Sequence, residues 1–282
     1  MSERQVLPRL EIRSPSSERF RRLLALSRSS REREALGLAI IEGEHLLQAW
    51  RAAGGAMAPE AVIPRRSGNR ETILALCAHA AHQTLVLDDA LFDRLSQVAN
   101  GPGPLATIRI PQAALPEVLD QDAVYLDGIQ DPGNAGTLLR SAAAFGVRLI
   151  MSSPDSVSLW SPKVVRAGMG AHFALQICES IPVSVLISVR GAARWTAAAP
   201  RSPQSIDAAD LRGPRVWLFG AEGKGLSAEL SAVNAIDRLE IRHQVGIESL
   251  NVGVAASICL YEQFTQRQTA AGRQLGLRAS IR

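Results

Sequence analysis

The stretch LDGIQDPGNAGTLLRSAAAFG contains three side chains of chemical interest, which follow a predicted strand. Asp131, Asn134 and Arg140 come after an apolar run, and a proline and a glycine begin a predicted helix between them. Free N–H groups at a helix start bind anions, and the guanidinium group of Arg140 matches the geometry of a phosphate. The stretch lacks lysine and G-x-G-x-x-G, so a nucleotide-phosphate loop is not indicated. The residue types equally allow a capped helix with a surface arginine.

A second candidate loop, WLFGAEGKGLS, follows another apolar run and contains three glycines. Gly220, Gly223 and Gly225 allow the backbone to turn sharply and approach a ligand closely. The spacing of a Walker A loop is absent, and Glu222 would repel phosphate groups. The loop therefore favours a neutral or cationic ligand, with a tight strand–helix turn as the alternative.

The third candidate, IRHQVGIESLNVGVAASICLYEQF, places polar residues directly before an apolar helix. Ser249 follows Glu248 and is predicted to be the N-cap of that helix. Capping does not account for Asn251, which falls in the first turn of an otherwise apolar helix. The small residues that follow predict close packing of this helix, including packing against a twin copy.

Composition and charge limit the classes of protein to consider. The chain has 282 residues, of which 46% are hydrophobic and 21% charged, as expected for one large or two ordinary globular domains. No apolar run is long enough for a membrane span, and three scattered cysteines predict neither a zinc site nor a disulfide framework. We therefore expect a cytoplasmic protein. Nine arginines in residues 1–33 are typical of a nucleic-acid partner, although a solvated surface explains them equally well.

Alternating apolar runs and amphipathic segments predict an α/β fold with two domains. The predicted boundaries are an N-terminal domain over residues 1–110, a linker over 111–121 and a second domain over 122–282. Alternation of strands and helices in the second domain indicates a parallel sheet covered on both faces. Its predicted strands are Ala123–Leu126, Val147–Met151, Phe173–Ile177, Arg194–Ala197, Val216–Phe219 and Leu239–Ile241.

Taken together, the three loops resemble the SpoU/TrmH family of RNA ribose 2′-O-methyltransferases, within the knotted SPOUT group. The family pattern D-P-x-N-x-G-x-x-x-R corresponds to Asp131–Arg140, G-x-E-x-x-G-[LI] to Gly220–Leu226, and S-L-N-V to Ser249–Val252. The intervening Ser156–Phe173 also resembles the family. Ile12–Trp50, with its sequence IEGEHLL, is similar to the family's substrate-binding extension.

This resemblance implies a deep trefoil knot in the C-terminal parallel-sheet domain, although general rules treat knots as essentially absent. It also implies a smaller N-terminal α/β domain that binds RNA and resembles a ribosomal protein. The implied methyl donor is S-adenosylmethionine, with no metal. The implied partners are RNA, ribosomal rather than transfer RNA, and a second copy bound through the knotted domain and its C-terminal helix.

The resemblance also assigns roles to individual residues. The implied catalytic residues are Arg140, Asn134, Ser249, Glu222 and Asn251. The implied donor-binding residues are Gly220, Ala221, Glu222, Gly223, Ile241, Ser249, Leu250 and Thr196. The predicted RNA-binding residues are Arg19, Arg21, Arg22, Arg28, Arg31 and Lys163. Because arginine stays protonated, we expect Arg140 to hold a substrate phosphate rather than to act as a base.

One departure from the family pattern keeps other interpretations open. The chain reads Ile241-Arg242-His243 where the family commonly reads I-P-M. A non-catalytic RNA-binding protein that retains the fold is therefore an alternative, as is a transfer-RNA 2′-O-methyltransferase. A dinucleotide-dependent enzyme is a distant third, since no glycine fingerprint follows a strand.

Overall fold

The computed structural model describes residues 9–279, except for residues 69, 99, 100, 102, 245, 247 and 248. Glu248, predicted to lie just before the last helix, is thus outside the described residues. The strands are β1 (Arg9–Ile12), β2 (Leu38–Glu42), β3 (Ala61–Pro64), β4 (Thr84–Leu87), β5 (Leu105–Arg109), β6 (Ala123–Asp127), β7 (Leu149–Ser152), β8 (Gln176–Cys178), β9 (Arg194–Ala198), β10 (Gln204–Ser205), β11 (Arg215–Gly220) and β12 (Ile236–Glu240). The helices are α1 (Glu18–Arg28), α2 (Ser30–Leu36), α3 (Glu44–Ala52), α4 (Glu71–Ala80), α5 (Asp89–Leu95), α6 (Pro132–Ala144), α7 (Pro162–Gly168), α8 (Val183–Ser188), α9 (Ala228–Ser231) and α10 (Val252–Ala279).

The first unit comprises the described residues up to Gln112 together with Ser158–Phe173. Its five-stranded sheet has the order β1-β4-β3-β5-β2, in which β5 runs antiparallel to both of its neighbours. Helix α1 is amphipathic: Phe20, Leu23 and Leu26 are buried in the core. The opposite face of α1 therefore exposes its arginines to solvent.

The segment Ser158–Phe173 belongs to this first unit, whereas a division at one linker assigned it to the second domain. Helix α7 packs against β2 within the unit. The rings of Trp50 and Phe173 meet edge to face, with centroids 5.3 Å apart. Burial of these apolar groups explains why Ser158–Phe173 belongs to the first unit. A division of the chain at a single linker does not predict this. The boundary itself, after Gln112, falls inside the predicted 111–121 segment.

The second unit contains a seven-stranded sheet in the order β10-β12-β9-β11-β6-β7-β8, in which all neighbours are parallel. The α/β fold with a mostly parallel sheet is thus confirmed. The strand predicted at Phe173–Ile177 begins later, at Gln176, because Ala171–Ala174 form a 3-10 turn. One face of the sheet buries a cluster that includes Tyr125, Trp195 and Leu218.

The strand order creates a crevice at the carboxyl ends of β6 and β11, which are adjacent in the sheet. The chain leaves β6 toward β7 on one side, and it leaves β11 toward β12 on the other. Such a reversal opens a gap between the two following loops, where ligands bind in open α/β sheets. Two of the candidate loops, those after β6 and β11, therefore lie at one topological switch point.

The last helix is attached to the other face of this sheet by buried polar contacts. Gln263 is 2% exposed, and its Oε1 accepts a hydrogen bond from Trp217 Nε1 at 2.7 Å. Its Nε2 donates to Asp122 Oδ1 at 3.1 Å. Satisfying these buried groups holds α10 in one position on the sheet. No helix in the described part of the chain is both long and apolar enough to cross a bilayer.

Candidate active site

Three side chains, one from each candidate loop, converge at the switch point. The Nδ2 of Asn134 donates to Glu222 Oε1 at 2.5 Å. The Nδ2 of Asn251 donates to the same oxygen at 3.1 Å and to Asn134 Oδ1 at 2.9 Å. These three residues are hereafter the amide–carboxylate network; Glu222 and Asn251 follow Asn134 by 88 and 117 positions along the chain. Charge-assisted bonds to one carboxylate oxygen hold both amides in a defined orientation.

The start of α6 explains the position of Asn134. Asp131 is the N-cap, and its Oδ1 accepts a hydrogen bond from the backbone N–H of Asn134 at 2.8 Å. Pro132 occupies the first helical position, where a missing N–H costs nothing. The D-P-x-N pattern is therefore a helix start that places the Asn134 side chain at the crevice.

The glycines after β11 explain the position of Glu222. The loop folds back on the end of its own strand, and Gly225 N donates to Ala221 O at 2.8 Å. A Cβ added to Gly220 would lie 2.2 Å from the carbonyl carbon of Gly225, which only glycine permits. Gly223 and Gly225 have φ of +74° and +71°, in the left-handed region. This fold-back directs Glu222 toward the two amides.

Asn251, rather than the predicted Ser249, caps the last helix. Its Oδ1 accepts hydrogen bonds from the backbone N–H groups of Gly253 at 3.0 Å and Val254 at 3.2 Å. The helix starts at Val252, so Ser249 stands too far upstream to cap it. Asn251 thus satisfies free helix donors with its oxygen and orients the network with its nitrogen.

Close packing between α6 and α10 fixes this arrangement. The hydroxyl groups of Ser141 and Ser257 lie 2.7 Å apart. A Cβ on Gly253 would lie 3.1 Å from the side chain of Thr137, so the glycine allows the close approach of the helices. The small residues noted in the sequence therefore serve a contact within the chain.

A small cavity of about 110 Å³ lies beyond the ends of β9 and β12. Three of the predicted donor-binding residues, Ile241, Ser249 and Leu250, line it together with His243. The His243 Nδ1 lies 2.8 Å from the carbonyl oxygen of Ile241. The neighbouring Arg242 is turned toward Ser205 Oγ, at 2.9 Å. Of the two residues that depart from the family pattern, His243 therefore contributes its imidazole to the cavity wall, whereas Arg242 does not line the cavity.

Thr196 does not reach this cavity, although the sequence assigned it to donor binding. It is fully buried within β9, and its Oγ1 accepts a hydrogen bond from Arg215 Nη1 at 2.7 Å. The cavity wall is formed instead by Ala198, Ala199 and Pro200, at the carboxyl end of the same strand. Only residues at the strand end face the crevice.

A larger cavity of about 430 Å³ lies at the ends of β6 and β11 and includes Ala221, Glu222 and Asn134 in its wall. Gly220 and Gly223 line neither of these two cavities; their part is the shape of the loop. The sequence reasoning overlooked further residues of this wall, among them Asp127 and Asp155. An acidic residue at the end of an apolar strand was the available signal for Asp127.

Arg140 is exposed on α6, and its side chain forms no hydrogen bond or ion pair with the described residues. The guanidinium group is therefore free to bind an anionic partner. In the first unit, Lys163 is exposed on α7, and the predicted RNA-binding arginines are exposed as well: Arg19, Arg21, Arg22, Arg28 and Arg31. Arg33, in contrast, is buried and donates to the carbonyl oxygen of Leu26 at 3.0 Å.

The model of the SpoU rRNA Methylase family matches residues 122–261 of this chain. A protein of Synechocystis sp., described as an uncharacterized tRNA/rRNA methyltransferase, is 31% identical over 244 residues, or 85% of this chain and 88% of that protein. A crystal structure of an RNA 2′-O ribose methyltransferase has a TM-score of 0.71 and 29% identity, over 92% of this chain and 100% of the other. An AdoMet-bound rRNA methyltransferase from Sinorhizobium meliloti shares the fold with a TM-score of 0.75 at 22% identity, over 90% and 97% of the two chains. The chain belongs to the SpoU rRNA methylase family.

Proposed function

We propose that this protein is a cytoplasmic enzyme that transfers a methyl group from S-adenosylmethionine to a ribose 2′-hydroxyl of structured RNA. Ribosomal RNA is the proposed target, in preference to transfer RNA. The observation that carries the proposal is the amide–carboxylate network, since it joins the three motifs of the family at one crevice. Membership of the family and similarity to an RNA 2′-O ribose methyltransferase support the same reaction.

The wall of the small cavity has a chemistry that suits the heterocycle of the donor. Apolar and small side chains, including Ile241, Leu250 and Ala255, surround the cavity, and Ser249 supplies a hydroxyl group. Such a wall suits a flat heterocycle that is ordered by a few polar contacts. When bound, S-adenosylmethionine supplies a methyl group on a positively charged sulfur. We therefore assign its binding to residues 198–200, 241 and 249–250.

Arg140 and the amide–carboxylate network have separate proposed roles in the reaction. Arg140 keeps its charge and holds a phosphate of the RNA backbone, because its guanidinium group has no partner among the residues described. The proton of the attacking hydroxyl passes to a phosphate oxygen held there, either directly or through hydrogen bonds to Asn134 and Ser249. Glu222 and Asn251 hold the loops that form the crevice. Alignment of the hydroxyl with the methyl group then lowers the barrier by several kcal/mol.

The proposed homodimer forms through the knotted domain and α10. Val254, Ile258 and Tyr261 are large apolar residues on α10, and they are 47%, 36% and 55% exposed. Their spacing of four and three residues places them on one face of the helix. A sedimentation mass of two chains at micromolar concentration is the expected result, and a single-chain mass would contradict the dimer. The trefoil knot remains part of this proposal.

The first unit is proposed to bind the RNA through the arginines of α1 and α2. Arg21, Arg28 and Arg31 are suited to a test, because their side chains have no partner among the described residues. Replacing all three with alanine should weaken RNA binding and reduce the salt dependence by about 0.7–0.9 in slope for each lost phosphate contact. Arg212→Ala, in the second unit, is the control. Equal salt slopes in the two variants would contradict the assignment.

The function is tested by transfer of a labelled methyl group to total RNA from a strain that lacks this gene. Incorporation, followed by mapping of one 2′-O-methylated nucleotide, is the expected result. Calorimetry with S-adenosylmethionine accompanies it. Donor binding without transfer to any RNA would contradict the enzymatic function and indicate a binding protein that retains the fold.

A further inference from the structure

A further cleft of the second unit lies at the opposite edge of the seven-stranded sheet from the candidate active site. Its volume is about 320 Å³, and it opens where β9 and β12 begin, at their amino ends. Its charged and amide side chains are Arg190, Arg194, Asn234 and Asp237, and we call it the basic cleft. A parallel strand of this length spans about 17 Å, so the basic cleft is at least about that far from the crevice at the carboxyl ends.

Arg190 is held in one position by contacts within the protein. Its Cζ lies 4.9 Å from the centroid of the Trp195 ring, a cation–π contact, and its Nη2 donates to Ala235 O at 2.9 Å. Its Nη1 and Nε form no hydrogen bond with the residues that the structure describes. A guanidinium group that is already fixed loses little side-chain entropy on binding, and its remaining N–H groups match the geometry of a phosphate.

The basic cleft keeps a positive charge after its ion pairs are counted. Arg194 Nη2 lies 2.9 Å from Asp237 Oδ2, and the same oxygen lies 3.3 Å from Nη1 of the buried Arg215. One carboxylate therefore serves two guanidinium groups, while Arg190 has no acidic partner among the described residues. Asp120 accepts a hydrogen bond from the backbone of the loop before β9, and even with this second carboxylate the arginines are in excess.

The chemistry of the basic cleft suits a phosphate group rather than a nucleobase. Trp195 is 1% exposed and its ring is covered by Arg190, so it offers no face on which a base could stack. Two arginines and the amide of Asn234 are instead hydrogen-bond donors of the kind that contact a nucleic-acid backbone. Positive charge is scarce at the other edge of the sheet. Among the described residues, four carboxylates line the larger cavity there, and Lys224 is its one basic group.

We propose that the basic cleft binds the phosphate backbone of the substrate RNA at a point remote from the acceptor ribose; this inference rests on the proposed function. Each backbone phosphate carries one negative charge, which the excess of arginine neutralises. A contact so far from the crevice holds the RNA equally before and during methyl transfer. The basic cleft therefore sets the KM for RNA and leaves kcat unchanged.

The test measures binding of ribosomal RNA, taken from a strain that lacks this gene, to the full chain carrying both Arg190→Gln and Arg194→Gln. We expect the Kd for RNA to rise about tenfold at low salt. Each lost phosphate contact lowers the salt slope by about 0.7–0.9, so the deficit should narrow roughly threefold per contact between about 50 and 200 mM salt. In methyl transfer the KM for RNA should rise in parallel, with kcat and the affinity for S-adenosylmethionine unchanged.

Arg212→Gln is the matched control, because Arg212 and Arg194 are 61% and 62% exposed and each is paired with one aspartate. Arg194→Gln alone changes an exposed side chain, avoids the risk of misfolding and should show part of the effect.

A double variant with the RNA affinity and salt slope of the control would overturn the proposal. Inorganic phosphate is the probe for a free anion as the ligand. If millimolar phosphate stabilised the wild type but not the double variant, while both bound RNA equally, the RNA assignment would be overturned in favour of a free anion. A wild-type protein that binds RNA through the basic cleft but transfers no methyl group would refute the proposed function and support this inference.

Discussion

Gly220→Ala tests whether the fold-back of the loop after β11 positions the carboxylate of Glu222. A Cβ at Gly220 would lie 2.2 Å from both the carbonyl carbon and the oxygen of Gly225, and 2.4 Å from Leu226 N. Ordinary contacts of a Cβ begin at 3.4 Å, so the loop must move away by about 1 Å or more. All three neighbours are backbone atoms, and no side-chain rotation relieves the overlap.

The cost has two parts. Overpacking of this kind destabilises a protein by about 1–3 kcal/mol. Displacing the loop also breaks the hydrogen bond from Gly225 N to Ala221 O, worth about 1 kcal/mol. We therefore expect a loss of roughly 2–4 kcal/mol in the free energy of unfolding. Movement of Glu222 by about 1 Å should also reduce methyl transfer on the order of 100-fold.

Chemical denaturation and single-turnover methyl transfer measure the two effects. The control is Gly213→Ala, because a Cβ at Gly213 meets no atom within 4 Å. We expect the control to remain within about 0.5 kcal/mol of the wild type. If Gly220→Ala matched the control in both assays, the loop would be more plastic than its geometry implies and the reasoning would be refuted.

Three further predictions concern single side chains. Asn251→Asp keeps the capping oxygen but places a second carboxylate beside Glu222, whose Oε1 lies 3.1 Å from the present Asn251 Nδ2. The free energy of unfolding should fall by about 1 kcal/mol, and the rate of methyl transfer should fall by a larger factor. Wild-type activity in this variant would show that the network is dispensable. Arg140→Ala should abolish methyl transfer while calorimetry finds donor affinity nearly unchanged, and comparable turnover would remove Arg140 from the mechanism. Burial lowers the pKa of His172 to about 4 from 6.5, so the unfolded state binds the proton first as the pH falls. The stability contributed by neutral His172 is full above pH 6.5 and declines by about 1.4 kcal/mol per unit toward pH 4. Denaturation of His172→Gln across this range should lack that slope, and identical profiles would contradict the prediction.

The start of α6 was predicted from sequence, because the local rules for a helix start are unambiguous there. An aspartate–proline pair followed by asparagine predicts a capped helix start, and Asp131 caps α6. The cap of α10 was predicted wrongly, because Ser249 and Asn251 are both good N-caps and stand two residues apart. The choice depends on where α10 begins. The close approach of Gly253 on α10 to Thr137 on α6 fixes that position. Such contacts between distant segments leave no local signature.

The residues at which strands end were also not predictable from the sequence. The resemblance assigned Thr196 to the donor site, but β9 continues to Ala198 and buries it. Alternation along a strand indicates which residues share a face, yet the last exposed position depends on the neighbouring strands. Asp127 was overlooked for the same reason, since its place at the cavity follows from the pairing of β6 with β11.

The amino-acid sequence alone was sufficient for the α/β class, the three motifs and the glycines that turn the loop after β11, because these depend on backbone conformations within a few residues. It was not sufficient for the convergence of Asn134, Glu222 and Asn251, or for the transfer of Ser158–Phe173 to the first unit. Those features arise from the order of strands in the sheet and from burial of apolar groups contributed by distant segments. Strand order and this burial are both properties of the packed chain, because each stabilising contact joins two residues that are far apart in the sequence.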